Sequence, residues 1–142
     1  MTPSDFGILR EAVQNDEGLR LLPYVDSVGK TTIGYGRNLT DVGITKSEAL
    51  TLLENDLTNA IAELTRAHPI VLNLDPVRQI VLTNMAFNMG VPSLNGFHLM
   101  WAAIDRGNFD EASIAMLDSK WATQVGARAT RLASELVSGE LK

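Results

Sequence analysis

Thr45 is followed three residues later by Glu48 and then by Leu50, Leu53, Leu57, Ile61 and Leu64, a pattern that commits the middle of this chain to a long amphipathic helix. In such a pair the threonine hydroxyl and the glutamate carboxylate satisfy each other's backbone N–H groups, and the apolar residues recur along one helical face. His68-Pro69 ends the helix, because a residue before proline is pushed out of the α region. A helix over 46–67 is long enough to bridge two lobes, and 142 residues allow one domain or two small lobes sharing a core.

The two flanks of this helix read differently. Before it, Thr2-Pro3 with Phe6, Leu9 and Val13 predicts a capped first helix running out between Asn15 and Gly18. Gly18, Pro23, Gly29, Gly34 and Gly36 then exclude helix and punctuate short β-type runs at Tyr24-Val25 and Thr31-Thr32-Ile33, as in a small twisted hairpin. After it, Asp75-Pro76 opens a helix through Val77, Ile80, Val81, Met85 and Phe87, closed by Gly90 and Pro92. Further helices are predicted near 97–106, 109–118 and 123–137. The outline is an α+β chain, mainly helical, with a small β-containing lobe over about 15–45 and a helical lobe over about 70–140. The helix over 3–15 is expected to pack on the helical lobe.

Composition narrows the chemistry. With no cysteine and two isolated histidines, His68 and His98, neither a thiolate nucleophile nor a histidine-based metal site is expected, and no cofactor is implied. Twelve Lys and Arg against seventeen Asp and Glu give a net charge of −5, which argues against a nucleic-acid partner. No run approaches the roughly 18 apolar residues of a membrane span, and the start carries charges where a signal peptide has its apolar core. Synthesis in the cytoplasm without a leader is the expectation, and a monomer is the default.

Two carboxyls stand in contrasting settings. Glu17 falls at the end of the first helix, ahead of Leu19, Leu21 and Leu22, a neighbourhood suited to a carboxyl that holds a proton. Asp26 lies in the turn-like Tyr24-Val25-Asp26-Ser27-Val28-Gly29, whose donors suit a carboxylate that accepts one. An acid beside a base is what glycoside hydrolysis requires, and Thr32 on the next strand could orient a water. Taken singly, these are an ordinary helix-end glutamate, a turn former and a good strand residue. Gly34-x-Gly36 lacks the third glycine of a dinucleotide fingerprint, since position 39 is leucine, and marks instead a close approach of substrate or strand. Trp101, Trp121, Met85, Met89 and Met100 fall at helical spacing and read as packing.

In combination the residues are specific. Glu17, Asp26 after eight intervening residues and Thr32 after five more, within DEGLRLLPYVDSVGKTTIGYGRNLT, resemble the phage lysozymes of glycoside hydrolase family 24. The likeness continues in ITKSEALTLLENDL, LTNMAFNMGVPSLNGF, GNFDEASIAML and KWATQVGARATRL, from about residue 8 to residue 138. The resemblance implies a two-lobed lysozyme-like fold joined by a long helix, with a cleft that takes peptidoglycan glycan strands. It implies a muramidase that cleaves the β-1,4 bond between N-acetylmuramic acid and N-acetylglucosamine with inversion. On that reading Glu17 is the general acid, and Asp26 with Thr32 positions the attacking water. Arg128 matches an arginine of the last helix that pairs with the catalytic glutamate, while Gly36, Asn38, Phe87 and Asn88 match positions that face sugar. Phe87 has core packing as its ordinary alternative. A membrane-opening holin is the partner the resemblance implies for bacterial lysis, with action on the wall after release.

The chain also departs from that pattern. Many relatives carry histidine where Arg37 stands, tied to an aspartate, so Arg37 needs a different partner. Cleft positions that are polar in the best-known member are here Met100 and Ala115, and the net charge is acidic where many such enzymes are basic. Two other functions compete: a lytic transglycosylase using Glu17 alone, which the presence of Asp26 and Thr32 opposes, and a non-catalytic wall-binding module.

Overall fold

The computed structural model describes residues 1–142, in which the chain divides into two compact units, Met1–Thr51 and Leu52–Lys142. The first unit opens with α1 (Pro3–Glu17), whose start is fixed by a reciprocal cap. Thr2 accepts from the Asp5 N–H, and the Asp5 carboxylate accepts from the Thr2 N–H at 2.9 Å. Gly18 ends the helix with φ +69°, a conformation that costs a residue without a side chain little. The division thus groups α1 with the sheet.

Three strands follow, β1 (Arg20–Val25), β2 (Thr31–Gly34) and β3 (Arg37–Asn38), in one antiparallel sheet of order β1-β2-β3. The register pairs Tyr24 with Thr32, Val25 with Thr31, Thr32 with Asn38 and Ile33 with Arg37. An irregularity interrupts the β1–β2 ladder between Arg20 and Tyr24, where Pro23 has no N–H to donate. The third strand, two residues long, has too short a pattern to be read from sequence.

The long helix, α2 (Lys46–Ala67), forms with its predicted capping box: the Thr45 hydroxyl accepts from the Glu48 N–H at 3.1 Å, and Glu48 Oε2 accepts from the Thr45 N–H at 2.7 Å. The boundary between the units falls inside α2. Of its apolar stripe only Leu64 is buried, whereas Leu50, Leu53 and Ile61 are exposed. Within the second unit, Leu57 and Ile61 border an open hollow of about 450 Å³ together with Val71, Leu72 and Ile80.

The second unit contains a 3₁₀ turn (Pro69–Asn73) and α3 (Pro76–Met89), α4 (Val91–Asn95), α5 (His98–Asp105), α6 (Phe109–Leu117), α7 (Lys120–Val125) and α8 (Ala127–Ser138). All of the protein's buried apolar residues lie here, from Leu64 to Leu136. On α8 they fall at Ala129, Leu132, Ala133 and Leu136, the spacing of one helical face. Met85, Met100, Trp101 and Trp121 are in this core, as the spacing predicted, and Met89 packs against it. Two boundaries differ from expectation. The helix predicted over 123–137 is split, because Gly126 takes φ +55° and ends α7, whose own start is capped by Ser119. Gly90 and Pro92 close α3 but also open α4, since proline is tolerated in a first helical turn.

Arg78 of α3 links its own helix to α8 and α6. It pairs with Asp75 at 2.8 Å, donates to the carbonyls of Leu136 and Val137 at the end of α8, and lies 3.7 Å over the Phe109 ring. Burial works against the Asp75 carboxylate, but the hydrogen bonds from Arg78 hold its pKa below the ordinary value.

Candidate active site

Glu17 is the last residue of α1, and the chain after Gly18 turns directly into β1. The apolar surroundings expected for it are not formed: Glu17 is exposed, and Leu21 and Leu22 are 77% and 79% exposed. What borders its carboxyl is backbone. Gly36 has φ +90°, and a Cβ built on it would stand 3.3 Å from Glu17 Oε2 and 3.6 Å from Glu17 Cδ. The glycine pair of the sequence is therefore a close approach, with Gly34 at φ +69° on the other side of the turn.

Asp26 and Thr32 sit at the turn end of the β1–β2 hairpin. Asp26 follows the last residue of β1, and its Oδ1 accepts from the N–H groups of Val28 at 3.0 Å and Lys30 at 2.8 Å. The backbone closes the same loop, with the Asp26 N–H donating to the Lys30 carbonyl at 2.9 Å. These bonds fix one carboxylate oxygen and leave Oδ2 without a protein partner. Thr32 is the only buried residue of the first unit, 3% exposed. Its hydroxyl donates to the Lys30 carbonyl at 3.0 Å, so its lone pairs are left to accept. The Lys30 carbonyl thus receives from both candidate residues and ties the turn at Asp26 to Thr32 on β2.

Asn38 is engaged locally: its Oδ1 accepts from the Asp41 N–H and its Nδ2 donates to Asp41 Oδ2, both at 2.9 Å. Arg37, whose partner was open, grips Glu48 with both guanidinium nitrogens, at 2.6 and 2.7 Å, and donates to the Gly43 carbonyl at 3.2 Å. The hydrogen bonds from Arg37, then the Thr45 N–H, hold the Glu48 pKa down at about 2.

The remaining candidates belong to the second unit. The Arg128 guanidinium donates twice to Asn84 Oδ1, at 2.7 and 3.0 Å. Phe87 is 42% exposed, so the core-packing alternative for it does not hold. Asn88 Oδ1 accepts from Trp121 Nε1 at 2.7 Å. Met100 is fully buried and Ala115 packs partly buried against the core, and both border an open hollow of about 290 Å³ in the second unit together with Phe97 and Asp118. His68 stacks on Trp101 at 3.6 Å and lies 2.7 Å from Asn95 Oδ1, with no carboxylate in the arrangement. No three His, Asp or Glu side chains converge as a metal site would require.

The model of the family described as phage lysozyme matches residues 14–135, nearly the whole chain. The chain belongs to the phage lysozyme family. It is a cell-wall hydrolase of lysozyme type with a lysozyme-like α+β fold. Two proteins of Dictyostelium discoideum, named "Probable T4-type lysozyme 2" and "Probable T4-type lysozyme 1", are 29% and 28% identical, each over 94% of this chain and 96% and 95% of their own lengths. The pre-baseplate central spike protein Gp5 of Enterobacteria phage T4 is 31% identical over 94% of this chain, which spans 28% of the spike protein's length.

Sequence reasoning did not find Glu48 as the partner of Arg37, nor Asn84 behind Arg128. Glu48 was visible only as a capping acid, and one carboxylate serving two donors leaves no second signature in the sequence. Asn84 lies 44 positions from Arg128, and nothing local marks the pair.

Proposed function

We propose that this phage-type lysozyme is a muramidase that cleaves the β-1,4 bond between N-acetylmuramic acid and N-acetylglucosamine in peptidoglycan, with inversion. The observation that carries the reading is the Asp26 turn and Thr32 beside it on β2: a carboxylate with one oxygen held by two N–H groups, and a hydroxyl whose hydrogen is already engaged by the Lys30 carbonyl. A water donating one proton toward Asp26 Oδ2 and the other toward Thr32 Oγ1 turns its lone pair to a third direction, where an anomeric carbon can be attacked. Glu17 protonates the glycosidic oxygen as its bond to that carbon breaks. The water oxygen forms the new bond from the opposite face and gives its proton to Asp26. Solvent then restores both carboxyls.

Gly36, Asn38, Phe87 and Asn88 belong to the same proposal as saccharide-facing positions. Asn38 contributes there through the loop it holds with Asp41, because its amide is already taken. Phe87 offers an open ring, and Arg128, oriented by Asn84, keeps the site-orienting role. Release to the wall through a membrane-opening holin is part of the same reading.

The test is the anomeric configuration of the first product. Proton NMR recorded within the first turnovers should show the α-anomer, and Asp26→Asn should abolish its formation. A β-anomer appearing first would replace inversion by retention.

A further inference from the structure

Arg37 occupies the one position that joins three features of the first unit. Its backbone pairs with Ile33 on β2, its side chain is locked to the start of α2, and the residue before it, Gly36, lies against the Glu17 carboxyl. The turn between β2 and β3 has positive φ at both glycines, 34 and 36, and so has few conformational restraints of its own. On its far side, the first side chain that anchors it is Arg37.

That anchor is geometrically exacting. Two guanidinium nitrogens meet two carboxylate oxygens of Glu48, and Nη1 also donates to the Gly43 carbonyl. Glu48 is itself immobilised by the capping box, since its Oε2 accepts from the Thr45 N–H. A planar fork held at three points cannot shift without losing a bond, whereas a lysine ammonium could satisfy only part of the set. Both partners are more than a third exposed, at 38% and 40%, so the pair adds little to global stability. What it supplies is position.

We propose that Arg37 is a positioning residue for the cleavage reaction: clamped to Glu48, it holds the Gly34–Gly36 turn against the carboxyl of Glu17 and so fixes where the proton is delivered. The proposal rests on the reading of Glu17 as the general acid. It differs from a purely stabilising ion pair in that loosening the clamp changes the surroundings of Glu17 while leaving the fold in place.

The experiment compares wild type with Arg37→Gln and Arg37→Lys by three readouts. Carbon-13 NMR titration of the Glu17 side-chain carboxyl, in protein without substrate, reports the turn directly. Steady-state kinetics on soluble glycan fragments give kcat, KM and the pH profile, and thermal unfolding checks the fold. Arg37→Gln is expected to shift the Glu17 titration, to lower kcat about 10- to 100-fold as a misplacement near 1 Å does, and to leave KM within about twofold. The basic limb of the pH profile should move with the NMR titration, and Arg37→Lys should recover only part of the loss. An unchanged Glu17 titration in Arg37→Gln overturns the proposal, as does a kcat loss that merely tracks a fall in Tm. Failure of the underlying reading looks different: Glu17→Gln would keep its turnover, while the NMR titration would still report whether Arg37 controls the turn.

Discussion

The two units are held together by different forces. In the second, twenty apolar residues are buried around α3, α5, α6 and α8; in the first, the only buried residue is a threonine. The first unit has in their place a set of directional contacts: the Thr2–Asp5 cap, the Asp26 loop, the Asn38–Asp41 pair, the Lys30–Asp41 pair and the Arg37–Glu48 clamp. Burial contributes free energy in proportion to area and is indifferent to direction, whereas each hydrogen bond adds little net stability but defines an angle and a distance. The residues proposed to move protons are thus in the unit built for geometry, and the core that stabilises the fold is in the other.

The sharpest way to separate the two is to change one residue of each kind. Glu17→Gln keeps the shape of the side chain but cannot donate a proton, so turnover should fall about 10²- to 10⁴-fold. Thermal unfolding should stay at the wild-type temperature, because the side chain is exposed. Substantial residual lysis by this variant would remove Glu17 from the acid role. In the second unit, Leu82→Ala, at a fully buried position, should cost about 2–5 kcal/mol in denaturant unfolding. Leu22→Ala, 79% exposed on β1, should change stability by no more than about 0.5 kcal/mol. Equal costs at the two sites would break the contrast.

A smaller effect comes from the Arg37–Glu48 clamp and depends on pH. The Glu48 carboxyl ordinarily titrates near 4.5, and the clamp and cap hold it at about 2 in the folded chain. A folded pKa below the unfolded one stabilises above the unfolded value and is lost as pH falls toward the folded value. The Tm difference between wild type and Glu48→Gln should therefore be constant above about pH 5 and shrink between about 4.5 and 2. A difference that grows on acidification would contradict the assignment. The smallest expected effect is on salt: with a net charge of −5 the chain gains no general attraction to an anionic wall, so its activity should depend weakly on ionic strength. A steep loss of lysis between low and physiological salt would instead point to a local cationic patch.

Much of the first unit was legible because its signals are local. The Thr45–Glu48 box, the glycine-punctuated hairpin and the Asp26 turn are each written within a few consecutive residues, and each formed as read. The part that was not legible is non-local or dual-purpose. Glu48 serves its helix and Arg37 together, β3 is too short to show alternation, and the Asn84–Arg128 and Asn88–Trp121 pairs link distant positions. Gly126 gave the opposite difficulty: a glycine inside a helical pattern reads as tolerated, and only its positive φ reveals the break. The apolar stripe of α2 was correctly read as helical, but periodicity shows which face is apolar and not how much of it is covered; only Leu64 is buried.

The central claim is that Glu17 and Asp26 act as an acid–base pair on a bound water, and the chemistry of the released glycan ends tests it most directly. Purified peptidoglycan digested with the wild-type protein should yield, by mass spectrometry, muropeptides with reducing N-acetylmuramic acid ends, each carrying the mass of one added water. Products ending in 1,6-anhydro-muramic acid would contradict the account, since they require internal attack by the sugar's own hydroxyl and leave Asp26 and Thr32 without a role in the reaction.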